Sequence, residues 1–139
     1  MPAHVLVPVD DSEMARHALE YACKTHPDGT ITVLHVVGEP SLMMGEAVGL
    51  SLAEDIEAAA EEHAASVFES AQAVADAHDV EITTETRVGN PARAILAAAE
   101  DVDLIVMGTH GGSLADQLVV GNVAERVFRH APVPVTVVR

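Results

Sequence analysis

The sequence predicts an α/β fold in which helices alternate with the strands of an open parallel sheet. Five short apolar runs bounded by turn residues have the length and composition of buried strands. Four longer segments between them carry apolar residues at helical spacing. This alternation favours parallel pairing with right-handed crossovers, which places helices on both faces of the sheet. A chain of 139 residues fits one domain, predicted to span 1–139.

Each element has a local reason to form. Ser12 predicts the start of the first helix, because its hydroxyl can accept a hydrogen bond from the first turn. Asn90 and Pro91 predict the start of the third helix, as a cap followed by proline at the first helical position. The second helix is long, and most of its acidic residues lie off its apolar stripe. The predicted strands are 4–9, 30–37, 80–88, 104–107 and 133–138, and the predicted helices begin near 12, 51, 90 and 121.

Composition excludes several classes of protein. Seven basic residues face 22 acidic ones, giving a net charge of −15, so neither nucleic acid nor an anionic membrane is expected as a partner. No apolar stretch reaches the length of a membrane span, and the lone Cys23 can form no disulfide within the chain. A soluble, cytoplasmic protein is expected. Acidity combined with a single lysine favours a salt-adapted (halophilic) cytoplasm over a merely acidic mesophilic protein.

The loop after the fourth strand has the residues of a phosphate site. Gly108-Thr109-His110-Gly111 leaves the strand, and Gly121 follows after nine intervening residues and precedes a helix. Glycines let peptide N–H groups approach a ligand closely, and a helix start adds unpaired N–H groups with partial positive charge. The alternative is two ordinary loops that need glycine, and the local sequence favours neither.

Asp10 follows the first strand. If the first and fourth strands are neighbours, Asp10 and the glycine loop share one crevice at the carboxyl edge of the sheet. There the carboxylate can accept hydrogen bonds from a ribose. The equally open alternative is that Asp10 and Asp11 cap the first helix beside Ser12.

Several catalytic motifs are absent. The sequence has no P-loop, no Gly-x-Gly-x-x-Gly after the first strand, no Cys-x-x-Cys, no His-Glu-x-x-His and no Gly-x-Ser-x-Gly. No catalytic residue and no metal ligand is therefore predicted, and His110 is expected to be a loop surface residue.

Five motifs, in order along essentially the whole chain, resemble those of the universal stress protein family. The arrangement Gly108-x2-Gly111-x9-Gly121-Asn122 resembles the family's Gly-x2-Gly-x9-Gly-Ser/Thr signature. Four further segments are similar to the family's first strand and turn, second strand, third helix start and last strand. They are Leu6–Ser12, Leu34–Val37, Gly89–Ile95 and Ala131–Val135.

The resemblance implies a fold, a ligand and an assembly. The fold is a single-domain Rossmann-like sheet of the adenine nucleotide α-hydrolase-like type, with five parallel strands in the order 3-2-1-4-5, and the assembly is usually a homodimer. One branch of the family binds ATP, which implies that Asp10 meets the ribose, Val36 meets adenine and the glycine loop holds the phosphates. The candidate nucleotide-binding residues are Pro8, Val9, Asp10, Val36, Met107, Gly108, His110, Gly111, Gly121, Asn122 and Val123.

The chain departs from the family signature at Asn122, where the family has Ser or Thr. An asparagine amide can donate to a phosphate oxygen, but it is bulkier than a hydroxyl and is itself a good helix cap. Between Gly108 and Val123 there is no Lys or Arg, and Asp116 adds a negative charge. A polyphosphate would therefore rely on backbone dipoles, helped by a divalent cation such as Mg²⁺.

The sequence leaves three functions to weigh. The first hypothesis is an ATP-binding module or switch in stress response, with at most slow ATP hydrolysis because no residue is an obvious base. The alternative is a dimeric stress protein that binds no nucleotide and acts through protein partners. A nucleotide hydrolase or transferase would need His110 or Asp10 as its general base. In the first two cases a homodimer is expected through the apolar edge strand Val133–Val138.

Overall fold

A computed structural model describes residues 3–38, 50–109 and 122–139, and it confirms the predicted alternation of strands and helices. The connection predicted after the second strand therefore lies almost wholly outside the described residues. A short 3₁₀ turn, Ala99–Asp101, follows the third helix. The elements are β1 His4–Pro8, α1 Glu13–Thr25, β2 Thr30–Val37, α2 Leu50–Ala77, β3 Ile82–Val88, α3 Pro91–Ala98, β4 Leu104–Gly108, α4 Asn122–His130 and β5 Val135–Val138.

The five strands form one parallel sheet in the order β3-β2-β1-β4-β5, as predicted. The central strand β1 pairs with β2 from His4 opposite Thr30 onward, and with β4 from Val5 opposite Leu104 onward. The backbone N–H of His4 also donates to the Asp103 carboxylate at 2.8 Å, just before β4 begins. The carboxyl ends of β1, β2 and β4 consequently meet at one edge of the sheet.

Helices cover both faces of the sheet. Helices α1 and α2 pack over one face, where the core includes Val7, Leu19 and Val67. Helices α3 and α4 pack over the other face, where the core includes Leu6, Ile95 and Val127. Among the described residues, no helix is both long enough and apolar enough to cross a membrane.

The predicted helix caps are confirmed. The Ser12 hydroxyl accepts a hydrogen bond from the backbone N–H of Ala15 at 3.1 Å. The Asn90 side chain accepts from the backbone N–H of Arg93 at 3.1 Å, and Pro91 occupies the first position of α3. Both helices therefore start at a fixed residue at the carboxyl edge of the sheet.

Two strands begin later than predicted. β5 starts at Val135 rather than at 133, because Pro134 has no N–H to donate to a ladder and contributes only its carbonyl, which accepts from Ile105 at 3.0 Å. β3 starts at Ile82 rather than at 80. There Asp79 adopts a positive φ of 56°, and the N–H of Val80 turns back to bond the carbonyl of Ala75 at 2.9 Å. Val80 thus closes α2 instead of opening β3.

Candidate functional site

A cavity of about 350 Å³ opens at the carboxyl ends of β1, β2 and β4. It brings together every candidate nucleotide-binding residue that the structure describes, which are Pro8, Val9, Asp10, Val36, Met107, Gly108, Asn122 and Val123. The other three candidates, His110, Gly111 and Gly121, lie outside the described residues. Sequence analysis did not assign the remaining lining residues to the site, and they are Ser12, Ala15, Leu34, Pro91, Ile95 and Ala124.

The β1 exit is held from the neighbouring strand. The backbone N–H of Val9 donates to the carbonyl of Leu34 at 2.8 Å, and the Val9 carbonyl lies 3.1 Å from Nδ1 of His35. Because that carbonyl can only accept, Nδ1 carries the proton in this hydrogen bond. His35 is buried on the α2 side, with its ring centroid 5.6 Å from that of His63 and 6.2 Å from that of Phe68. Hydrogen bonds thus fix both the backbone N–H and the carbonyl of Val9, the residue before Asp10.

Asp10 accepts a hydrogen bond within the turn before α1, and it also lines the cavity. Its Oδ1 accepts a hydrogen bond from the backbone N–H of Ser12 at 2.8 Å, in the turn that precedes α1. Ser12, rather than Asp10, is the residue that caps α1. The Asp10 carboxylate is nevertheless exposed at the cavity wall, and its contact with a ribose stays a prediction.

The β4 exit packs directly against the start of α1. A Cβ built on Gly108 would lie 2.9 Å from Cβ of Met14 and 3.0 Å from the Met14 backbone. Such distances leave no room for a side chain, so close helix packing requires glycine here whether or not a ligand is present. Sequence analysis attributed Gly108 to ligand approach or to the needs of an ordinary loop, and it missed this packing contact. The next residue, Thr109, anchors the strand end by donating its N–H to the carbonyl of Val138 at 3.0 Å.

Apolar side chains form the deeper wall of the cavity. Leu34 and Val36 come from β2, Ile95 comes from α3, and Met107 comes from β4. Leu34, Ile95 and Met107 are buried and Val36 is partly exposed, so a flat apolar group can contact Val36 without displacing core residues. A wall of this kind suits a heteroaromatic ring.

The charge of the cavity is negative. Of the residues described as lining it, Asp10 is the one that carries a charge, and no cationic side chain is among them. Three helices begin at this wall, α1 after Ser12, α3 at Pro91 and α4 at Asn122, so their N-termini supply the positive elements of the described wall. Within the described ranges, no group of three His, Cys, Asp or Glu residues could hold a metal ion. Cys23 lies elsewhere, on the buried face of α1, where burial and then Glu20 raise the pKa of its thiol.

A second, larger groove of about 490 Å³ runs beside the cavity between α3 and α4. It shares Pro91, Asn122 and Val123 with the cavity, so the two spaces adjoin at the start of α4. The charged residues that line it all come from α4, and sequence reasoning gave them no role. They are Glu125, Arg126 and Arg129, accompanied by His130.

Comparison with known proteins gives one consistent result. A family model described as the universal stress protein family matches residues 1–139. The universal stress protein MJ0531 of Methanocaldococcus jannaschii is 33% identical over 145 residues, covering 97% of this chain and 81% of the relative. The structure of universal stress protein UspA from Lactobacillus plantarum superimposes with a TM-score of 0.79 at 28% identity, covering 99% of this chain and 98% of that one.

Two further solved structures contain nucleotides. One is a universal stress protein in complex with cAMP, with a TM-score of 0.73, 20% identity and coverage of 99% of this chain and 97% of that one. The other is a universal stress protein family protein from Arabidopsis thaliana with AMP bound, with a TM-score of 0.72, 18% identity and coverage of 99% and 91%. At these identities the likeness shows the shared fold alone.

Proposed function

Because the chain belongs to the universal stress protein family, we propose that it binds an adenine nucleotide, ATP in particular, in the cavity at the carboxyl edge of its sheet. The observation that carries the proposal is the convergence of the described candidate residues on that single cavity. The nucleotides in the cAMP and AMP complexes of other universal stress proteins support the choice of ligand.

In this proposal each wall of the cavity has one task. The apolar wall around Val36 contacts adenine, and Asp10 accepts hydrogen bonds from the ribose hydroxyls. Gly108 and the N-terminus of α4 at Asn122 and Val123 face the phosphates, together with Gly111 and Gly121 of the intervening loop. Backbone N–H groups at a helix start bind anions without needing a cationic side chain.

ATP brings more negative charge than the described wall can neutralise, so a divalent cation such as Mg²⁺ accompanies it in the proposal. The protein then acts as a binding module or switch in stress response. Hydrolysis is slow at most, because Asp10 is the single described lining residue able to act as a base, and in this proposal it contacts the ribose rather than the phosphates.

The proposal includes a homodimer and a cytoplasmic, salt-adapted setting. The dimer forms through the edge strand and its approach, Val133–Val138, because β5 ends the sheet with partly exposed valines. The salt-adapted setting is supported by the net charge of −15. The alternative function, a dimer that acts through protein partners without a nucleotide, is favoured by Asn122 in place of Ser or Thr and by the absence of a described cation in the cavity.

Substitution of the loop glycines tests the proposed site. We expect Gly111→Val and Gly121→Val each to abolish ATP binding measured by titration calorimetry in high salt with Mg²⁺, because a branched side chain keeps the phosphates away from the backbone. Circular dichroism should show an intact fold.

Gly38→Val is the matched control, since a Cβ at Gly38 meets nothing within 4 Å among the described residues. Unchanged ATP affinity in both loop variants would refute the phosphate site. Absence of ATP binding in the unaltered protein, with a dimer still present, would favour the partner-protein alternative.

A further inference from the structure

The groove between α3 and α4 continues the candidate nucleotide site. Its volume of about 490 Å³ exceeds that of the cavity, and both spaces contact Asn122 and Val123 at the start of α4. A ligand whose phosphates reach the first turn of α4 therefore has open space ahead of it, along the outer face of this helix.

Basic residues are scarce in this chain, which makes their position informative. The whole chain has seven Lys and Arg against 22 acidic residues, yet two of these arginines lie on the nine-residue helix α4 and line the groove. Arg129 is paired with Glu125 at 3.0 Å. No described carboxylate lies within 4.0 Å of Arg126, so among the described residues its charge is available to a ligand.

Arg126 lies about one helical turn beyond Asn122, a residue that lines both the groove and the cavity. Arg126 follows Asn122 by four residues, so both lie on the same face and their Cα atoms are about 6 Å apart along the axis. Long side chains on a helix lean toward its N-terminus, over the preceding turn. We therefore expect the guanidinium of Arg126 to reach back toward the turn where the groove and the cavity meet.

We infer that Arg126 binds the terminal phosphate of a nucleoside polyphosphate whose base and ribose occupy the cavity, and that it thereby makes the site prefer ATP to AMP. This inference rests on the proposed function and names the specificity determinant of the same site. The described cavity wall has a carboxylate and no cationic side chain. Among the described residues, a polyphosphate can therefore contact a cationic side chain only outside the cavity. A guanidinium suits that role because its planar fork matches two phosphate oxygens.

The test compares ATP with AMP, both with Mg²⁺ and at one fixed salt concentration, by titration calorimetry. Arg126→Gln should lower ATP affinity about tenfold, the loss expected for a charged hydrogen bond, and change AMP affinity less than about twofold. Arg126→Lys should retain part of the preference, because it keeps the charge and loses the fork. Arg126 is exposed, so none of these variants should disturb folding.

Arg129→Gln is the matched control, because it removes the same charge from the same groove at an arginine that is already paired. It should leave the ratio of ATP to AMP affinity within about threefold of the unaltered protein. If Arg126→Gln lowers both affinities equally, or leaves the ratio unchanged, or if Arg129→Gln has the same effect, the role of Arg126 is refuted while nucleotide binding stands. If the unaltered protein binds neither ATP nor AMP, the proposed function itself fails and this inference fails with it.

Discussion

Gly108 illustrates how one residue can meet two requirements. Its missing side chain lets β4 lie against the first turn of α1, and it also leaves the backbone open at the cavity wall. Conversely, Gly38 lies in open space among the described residues. Among the described residues, packing therefore requires glycine at Gly108 and not at Gly38.

Gly108→Ala should lower the free energy of unfolding by about 1–3 kcal/mol, the usual effect of forcing an extra methyl into packed backbone. The reason is the 2.9–3.0 Å approach of the new Cβ to Met14. Urea denaturation in high KCl measures the loss, with Gly38→Ala as the control that should lose nothing. Equal stability of the two variants would show that α1 can move away from β4 without penalty.

Asn122 is the residue at which this chain departs from the family signature. Asn122→Ser should strengthen ATP binding by about 1 kcal/mol or less, because a hydroxyl at the start of α4 can donate to a phosphate with less bulk. Titration calorimetry with Mg²⁺ measures the change. Weaker binding by the serine variant would show that the amide itself makes a specific contact.

At the scale of elements, the sequence predicted the features that depend on neighbouring residues, such as the helix starts. Ser12 and Asn90 cap their helices as expected, because a cap depends on residues three positions away. The contact between Gly108 and Met14 depends on two elements that are distant in sequence, so no local pattern revealed it. The hydrogen bond between His35 of β2 and the carbonyl of Val9 also joins two distant parts of the sequence. No local pattern therefore revealed that His35 fixes the backbone before Asp10.

The outer edge of β5 presents the backbone groups of alternate residues. The carbonyls of Pro134 and Val138 accept hydrogen bonds from Ile105 of β4 and from Thr109 just after it. The alternate residues Val135 and Val137 therefore turn their backbone groups toward the edge that no described strand pairs. The Val135 side chain also packs against the core on the α3 and α4 side. A substitution there would disturb the fold as well as the edge, which makes Val137 the cleaner position for a test.

Val137→Asp should convert the proposed dimer to a monomer, because a carboxylate beside its symmetry mate is repelled and must lose water. Light scattering at high salt measures the mass. Val88→Asp is the control, because Val88 is 62% exposed and belongs to β3 at the opposite edge of the sheet. A dimer that survives Val137→Asp places the interface elsewhere, and dissociation by Val88→Asp would move it to β3.

At the scale of the whole molecule, we expect repulsion between acidic residues to govern how stability depends on salt. The melting temperature should rise between 0.1 M and 2 M KCl, because the net charge of −15 repels itself most strongly when it is least screened. The rise should be steepest below about 1 M, where the screening length falls from about 10 Å to about 3 Å. Calorimetric melting curves measure it. A flat dependence on KCl would remove the argument for a salt-adapted protein.

The order of the sheet was also predicted correctly, but on a different basis from the strands themselves. Alternating strands and helices indicate a parallel sheet, whereas the order 3-2-1-4-5 followed from the resemblance to a family. The groove along α4 was predicted by neither. It depends on how α3 packs beside α4, and the spacing of residues within one helix carries no information about its neighbour.

Because β1 is the central strand, the candidate site can form only after both of its neighbouring strands have been synthesised. Its first partner, β2, begins at Thr30, whereas its second partner, β4, begins at Leu104. A growing chain that has reached β3 can already pair three strands, yet it lacks the wall at Met107 and Gly108 and the whole of α4. Contacts so distant in sequence are the slow ones to close. On the proposed function, the complete nucleotide site can therefore form only after α4 has been synthesised, and a chain truncated before α4 offers a nucleotide only part of the wall.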